Sequence, residues 1–125
     1  MRLLLDTHIL LWALLTPTRL TRPVRDALIR PANALHISVA SIWEIAIKRA
    51  IGRVDAPVET LPEALDALGI ALLPIAIAHA LAAAALPRHH TDPFDRMLVA
   101  QARHEGLTLV TEDAALRRYD VAIFA

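Results

Sequence analysis

Four acidic residues, Asp6, Glu44, Asp95 and Asp113, each stand close to where a short apolar run meets a stretch of helical periodicity. Carboxylates brought together without matching cations repel and raise one another's pKa, unless a hard divalent ion neutralises them. The chain has no cysteine, which removes disulfides, thiolate metal sites and cysteine nucleophiles. An oxygen-only ligand set selects Mg²⁺ or Mn²⁺ over zinc. Such a site suits metal-assisted hydrolysis of phosphodiesters, in which the ion activates water and stabilises charge on the leaving oxygen.

Each acid taken alone also has a plainer reading. Asp6 and Asp113 can cap the helices that follow them, and Asp95, at a third helical position, complements the helix dipole. Glu44 closes a capping box with Ser41 and stands four residues before Lys48, the only lysine. Yet its neighbours Trp43, Ile45, Ala46 and Ile47 are apolar, a setting in which a carboxylate needs a partner. Four independent caps explain each position but not their convergence.

The convergence comes from the elements. Short apolar runs alternate with helical stretches, the pattern of an α/β domain with a parallel sheet. Strands are expected at residues 2–5, 35–38, 70–73, 107–110 and, at an edge, 121–124. Helices are expected over 7–15, from a Thr21 cap to about 30, over 40–51, 61–68 and 77–86, and from Asp92-Pro93 to Gly106, with a helical turn at 114–118. In a parallel sheet the strand C-termini and helix N-termini share one edge, where ligands bind, and all four acids fall on it.

Composition limits the remaining possibilities. The 125 residues are 56% hydrophobic and 21% charged, which excludes a disordered chain and fits one domain spanning 1–125. With 13 basic and 13 acidic residues, no overall field draws the protein to nucleic acid, so any such contact needs a local patch. Arg88, His89, His90 and Arg96, with Lys48, Arg49 and Arg117, are candidates to touch substrate phosphates; they read equally well as solvated surface. His89-His90 reads as a loop at the groove rim rather than a transition-metal site, and His8 as structural. Trp12 and Trp43 are expected on apolar helix faces, in the core or a dimer contact. The runs 3–15 and 75–86 are too short to span a membrane and read as buried elements; no targeting segment is visible, and the lack of cysteine suits a reducing cytoplasm. The apolar excess calls for a protein–protein interface, expected as a homodimer through helices early in the chain, near Trp12.

With only 3 glycines there is no phosphate-binding glycine loop, and no G-x-S-x-G elbow occurs. An aspartyl-phosphate enzyme would need a lysine late in the chain, and Lys48 comes too early. A reading from another class is a noncatalytic α/β module whose acidic groove binds a partner's arginines.

The segments LLLDTHILLW (3–12), SVASIWEIAIK (38–48), TDPFDRMLVAQA (91–102) and LVTEDAAL (109–116) together resemble the PIN-domain ribonucleases, in particular VapC-like toxins of bacterial type II toxin–antitoxin pairs. The resemblance covers essentially the whole chain. It implies a three-layer α/β/α sandwich with a central, mainly parallel, about five-stranded sheet, and a cytoplasmic endoribonuclease dependent on Mg²⁺ or Mn²⁺. It implies that Asp6, Glu44, Asp95 and Asp113 are the catalytic, metal-holding quartet. Thr111 would orient water or metal, and Asp92 would act as helix cap or touch metal through water. A homodimer, silenced by an antitoxin whose C-terminal segment enters the acidic groove, is implied as well.

Overall fold

The run Leu3-Leu4-Leu5 shows why the sheet sits where it does. In the computed structural model, which describes residues 1–124, all three side chains are fully buried. Leu3 and Leu5 point into one core cluster and Leu4 into another, as side chains alternating across a strand must. Only a central strand covered on both faces needs such an uninterrupted apolar run. That strand, β1 (Arg2–Leu5), lies in the middle of a sheet with β2 (Ala34–Ser38), β3 (Ile70–Leu73), β4 (Thr108–Val110) and β5 (Ile123–Phe124), in the order β3-β2-β1-β4-β5. Every pairing is parallel, so the sheet is wholly rather than mainly parallel.

The helices α1 (Thr7–Leu15), α2 (Arg22–Ile29), α3 (Val39–Ala50) and α4 (Leu61–Ala67) contribute to the Leu3–Leu5 cluster. Helices α5 (Ile77–Ala85) and α6 (Pro93–Glu105) contribute to the Leu4 cluster on the other face. Three layers result, the expected α/β/α sandwich. Crossovers in parallel sheets are right-handed, so the chain puts its helices on one face while moving from β1 to β3. It puts them on the other face when it returns to β4. The sheet therefore reverses direction between β1 and β4, and the crevice at their C-terminal ends is where ligands of such sheets bind.

Local capping follows the residues in α2 and α6. Thr21 accepts from the Val24 N–H. Asp92 Oδ1 accepts from the amides of Phe94 (2.8 Å) and Asp95 (3.4 Å), and Gly106 ends α6 at φ +66°, a left-handed conformation that favours glycine. At α3 the outcome differs. Ser41 and Glu44 form no capping box, because β2 ends at Ser38 in extended backbone and Ser38 itself caps the helix, accepting from the Ala40 N–H. Ser41 then lies inside the first turn, buried, where its hydroxyl accepts from Thr7 Oγ1 at 2.8 Å.

The alanine-rich run 75–86 is also not the buried element that its hydropathy predicts. Of α5 only His79 and Ala83 are buried, while Ile77 is 81% and Leu81 68% exposed. The helix rests on α6 through small side chains and through His79. The His79 Nδ1 accepts from the Ala76 N–H, and its Nε2 meets Glu105 Oε1 at 2.9 Å. The sheet edge β3 leaves Leu72 exposed on the face that Ile70 shares, opposite α5. Among the described residues no helix is long and apolar enough to cross a membrane.

Candidate active site

Asp6 is the first residue past β1, and its amide still donates to Val110 O on β4 at 2.9 Å. Its buried carboxylate accepts from the His8 N–H through Oδ1 (3.0 Å) and from the Thr111 hydroxyl through Oδ2 (2.6 Å). The same Thr111 oxygen accepts from the Asp113 amide at 3.0 Å. One hydroxyl thus ties together the acids that follow the two strands flanking the sheet's reversal point. Asp113 Oδ1 caps the 3-10 turn Ala114–Arg118 through the Ala115 N–H, and its Oδ2 lies 3.1 Å from His90 Nε2. Asp95 Oδ2 lies 3.2 Å from the same His90 nitrogen.

Glu44, on α3, is buried with Oε2 accepting from Lys48 Nζ at 2.7 Å, the pairing expected from their spacing. Its Oε1 is buried without a hydrogen-bond partner. Burial pushes the Asp95 carboxyl up to about 7, reinforced by the negative charges of Asp6, Asp92 and Glu44 and opposed by His90. Asp95 thus feels both Asp6 and Glu44, while Asp113 joins the group through the His90 nitrogen that it shares with Asp95. Lys48 offsets one of their charges, and an oxygen-only donor set with a surplus of buried negative charge and an orphaned oxygen is suited to a hard divalent cation. Two clefts open on it. One of about 360 Å³ is lined by Asp6, Trp12 and Asp113, the other of about 350 Å³ by Glu44, Ile47, Asp92 and Phe94. A roomier cleft of about 460 Å³, between α5 and α6, is lined mainly by alanines with Arg103 and His104. Charge, not volume, marks the site.

Asp92 is the α6 cap, the first of its two expected readings. Thr111 donates to Asp6 Oδ2 and accepts from the Asp113 amide, which fixes the two acids relative to one another. Other expectations turn out differently. Arg96 is not a free phosphate contact: its guanidinium donates to the carbonyls of Ala83, Leu86, Pro87 and His90. Arg88 stays exposed. His90 is not a solvated rim residue but reaches in between Asp95 and Asp113, and His89 packs edge-on to Tyr119. His8 is exposed, 3.9 Å from Asp6 Oδ1. Trp12 is half-buried beneath the Arg19 guanidinium. Trp43 is 62% exposed, edge-on to Phe94. The Thr7–Ser41 bond and the inward turn of His90 escaped the sequence reading. The spacing His90-x-Asp92, which lets the Asp92 amide reach the ring, is the one local signal for the second.

A fully parallel five-stranded α/β/α sandwich with carboxylates gathered at its reversal point defines a recognisable class. The chain belongs to the PIN domain family, which matches residues 3–122. Among curated proteins none matches it in sequence. Among solved structures it is similar to VapBC2 from Rickettsia felis bound to a DNA fragment from their promoter, with TM-score 0.75 at 16% identity, covering 99% of this chain and 98% of that one. It is similar also to FitAcB from Neisseria gonorrhoeae, with TM-score 0.67 at 23% identity and coverage of 98% and 96%. A toxin–antitoxin complex from Klebsiella pneumoniae gives TM-score 0.66 at 21% identity and coverage of 98% and 95%. At these identities the likeness is one of fold.

The electrostatics generate a prediction with a definite sign. Asp95 has its pKa raised on folding, so its neutral form favours the native state below the ordinary carboxylate range, and that stability is lost as pH rises through about 7. At pH 8 in EDTA, Asp95→Asn is expected to melt above the wild type, by the equivalent of roughly 1 kcal/mol once partial exposure is allowed for. Near pH 4 the difference should vanish. Millimolar Mg²⁺ should stabilise the wild type more than the variant, since binding to the native state stabilises by linkage. Simple helix caps predict the reverse: losing an anion at a helix N-terminus costs about 0.3–1 kcal/mol and leaves no metal dependence. Melting curves at the two pH values, with EDTA and with Mg²⁺, decide between them.

Proposed function

We propose that this chain, as a single PIN domain, is a Mg²⁺- or Mn²⁺-dependent endoribonuclease of the cytoplasm, the toxin of a toxin–antitoxin pair. The observation that carries the reading is the half-buried Asp95 carboxylate, 3.2 Å from the His90 nitrogen that Asp113 also meets, and lifted by burial and by Asp6, Asp92 and Glu44 in a pocket with one neutralising lysine. Asp6, Glu44, Asp95 and Asp113 would hold the ion. When bound, Mg²⁺ or Mn²⁺ supplies the positive charge that activates water and stabilises the leaving oxygen of a phosphodiester.

The chain's own residues do the positioning. Thr111 keeps Asp6 and the Asp113 backbone in fixed relation, and Lys48 holds one oxygen of Glu44 while leaving the other open. The Thr7–Ser41 bond fastens the first turns of α1 and α3, and with them the acids those helices carry or follow. Arg88, exposed on the loop leading to α6, and Lys48 and Arg53 in the cleft beside Glu44 offer positive charge to the RNA backbone. Purified protein is expected to cleave structured RNA with Mg²⁺ or Mn²⁺, to stop in EDTA, and to leave 5′-phosphate and 3′-hydroxyl ends. Asp95→Asn should slow cleavage by roughly 100-fold or more. Recovery of 2′,3′-cyclic phosphate ends, or an undiminished variant, contradicts the chemistry.

The partner reading rests on the same groove. Toxin–antitoxin complexes are among the similar folds, and the acids here lie beside exposed Trp43 and Ile51. An antitoxin tail would lay apolar residues on that rim and an arginine on the carboxylates, in place of metal. Calorimetry should then find tail and saturating Mg²⁺ competing, and equal tail affinity with and without Mg²⁺ contradicts displacement. A homodimer is proposed as well, through the exposed apolar face of α5 rather than around the half-buried Trp12, because Ile77 and Leu81 stand exposed on that helix. Light scattering should report the mass of two chains at micromolar concentration and of one for Ile77→Glu combined with Leu81→Glu.

A further inference from the structure

His90 belongs to a short loop between α5 and α6 whose backbone is fastened from below. The Arg96 guanidinium donates to Ala83 O, Leu86 O and Pro87 O at 3.0 Å each, and to His90 O at 3.3 Å. The His90 N–H donates to the hydroxyl of the buried Tyr119 at 3.0 Å. With its backbone held this way, the imidazole is carried into the space between Asp95 and Asp113 by the fold.

The ring's protonation is set by a second contact. The Asp92 backbone N–H donates to His90 Nδ1 at 3.0 Å. A nitrogen that accepts has no proton of its own, so the N–H that the ring turns to the pocket sits on Nε2. Nε2 faces Asp113 Oδ2 at 3.1 Å and Asp95 Oδ2 at 3.2 Å. His90 therefore points an N–H donor at two carboxylate oxygens. An arrangement of His90, Asp95 and Asp113 has the composition of a metal site, but in this tautomer Nε2 has no lone pair to offer, and Nδ1 cannot take the proton while an amide N–H points at it. A cation held by the same two oxygens would meet the positive end of the N–H dipole.

We propose that His90 is a gate for metal loading: its Nε2–H bridges Asp95 and Asp113, and the side chain turns aside when a divalent ion takes those oxygens. The inference rests on the reading that these carboxylates hold such an ion. His90 is thus a positioning residue that competes with the metal rather than one of its ligands, and it sets how readily the site fills. Because the backbone stays clamped by Arg96 and Tyr119, rotation of one side chain is enough.

Mn²⁺ binding by calorimetry, on the full chain and on His90→Ala, tests this directly. Removing a hydrogen bond to a charged group that must be broken on loading should tighten Mn²⁺ roughly ten-fold. Weaker binding by the variant would make His90 a ligand, and unchanged binding would leave it without a role; either overturns the gate alone. Absence of Mn²⁺ binding by both proteins overturns the gate and the metal reading together. A second measurement needs no variant: nitrogen-15 NMR of the wild-type ring should show Nε2 protonated without Mg²⁺ and neither ring nitrogen coordinated at saturation. A ring nitrogen that loses its proton to coordinate the ion overturns the proposal even if the variant proves unstable.

Discussion

The hydrogen bond from Thr111 to Asp6, 2.6 Å long and joining residues 105 apart in the chain, holds together what the sheet alone would leave adjacent but loose. It lies at the reversal point between β1 and β4, where strand ladders end and backbone groups lose their regular partners. Asp6 continues the ladder with its amide, starts α1 with Oδ1 and receives Thr111 on Oδ2. Thr111 in turn accepts from the Asp113 amide. With two acids held so closely, further negative charge nearby must be balanced or protonated. Asp95 is the group that yields: burial first, and then the charges of Asp6, Asp92 and Glu44, push its carboxyl up to about 7.

Capping and chemistry are not rival explanations of these acids, because each carboxylate has two oxygens. Asp113 gives Oδ1 to the Ala115 amide and turns Oδ2 to the pocket. Glu44 gives Oε2 to Lys48 and leaves Oε1 buried and unpartnered. A helix N-terminus lowers the cost of bringing an anion out of water, so starting helices at the sheet's ligand edge is a physical way to keep several carboxylates close together. Asp92 is the contrast: its capping oxygen takes two amides from α6, and it acts on the pocket through charge alone.

The parts of this design legible in the sequence are those with strong local signatures. The continuous Leu3–Leu5 run, the Asp92-Pro93 start and Gly106 end of α6, and β3 at Ile70–Leu73 were each readable within a few residues. The convergence of Asp6, Glu44, Asp95 and Asp113 followed from strand and helix polarity, without knowledge of any contact. What was not legible depended on choices made between distant segments. Ser38 and Ser41 are both plausible caps, and the length of the β2 ladder decides for Ser38. The apolar residues of α5 look the same whether they face a core or the outside, because hydropathy records a preference for burial without naming the surface that provides it. Arg96 and His90 read as a basic fringe because each contributes charge; their actual partners are loop carbonyls, Tyr119 and two acids fixed by the fold.

Three kinds of positive charge can satisfy the same carboxylate oxygens, and they differ in strength. A divalent ion brings two full charges, a partner's arginine brings one with two directed N–H bonds, and an imidazole brings a single directed N–H. The structure holds the weakest of the three, His90, within reach of Asp95 and Asp113. Weakness is what the arrangement needs. A lysine at that position would neutralise the pocket so well that an ion would have to displace a full charge, whereas no donor at all would leave two carboxylates facing one another across a partly dry cleft. The imidazole oriented by the Asp92 amide lies between these extremes, and its orientation comes from the same turn that starts α6. On the proposed reading, helix capping, metal loading and silencing by an arginine-bearing partner therefore converge on one set of carboxylates, through different oxygens of each.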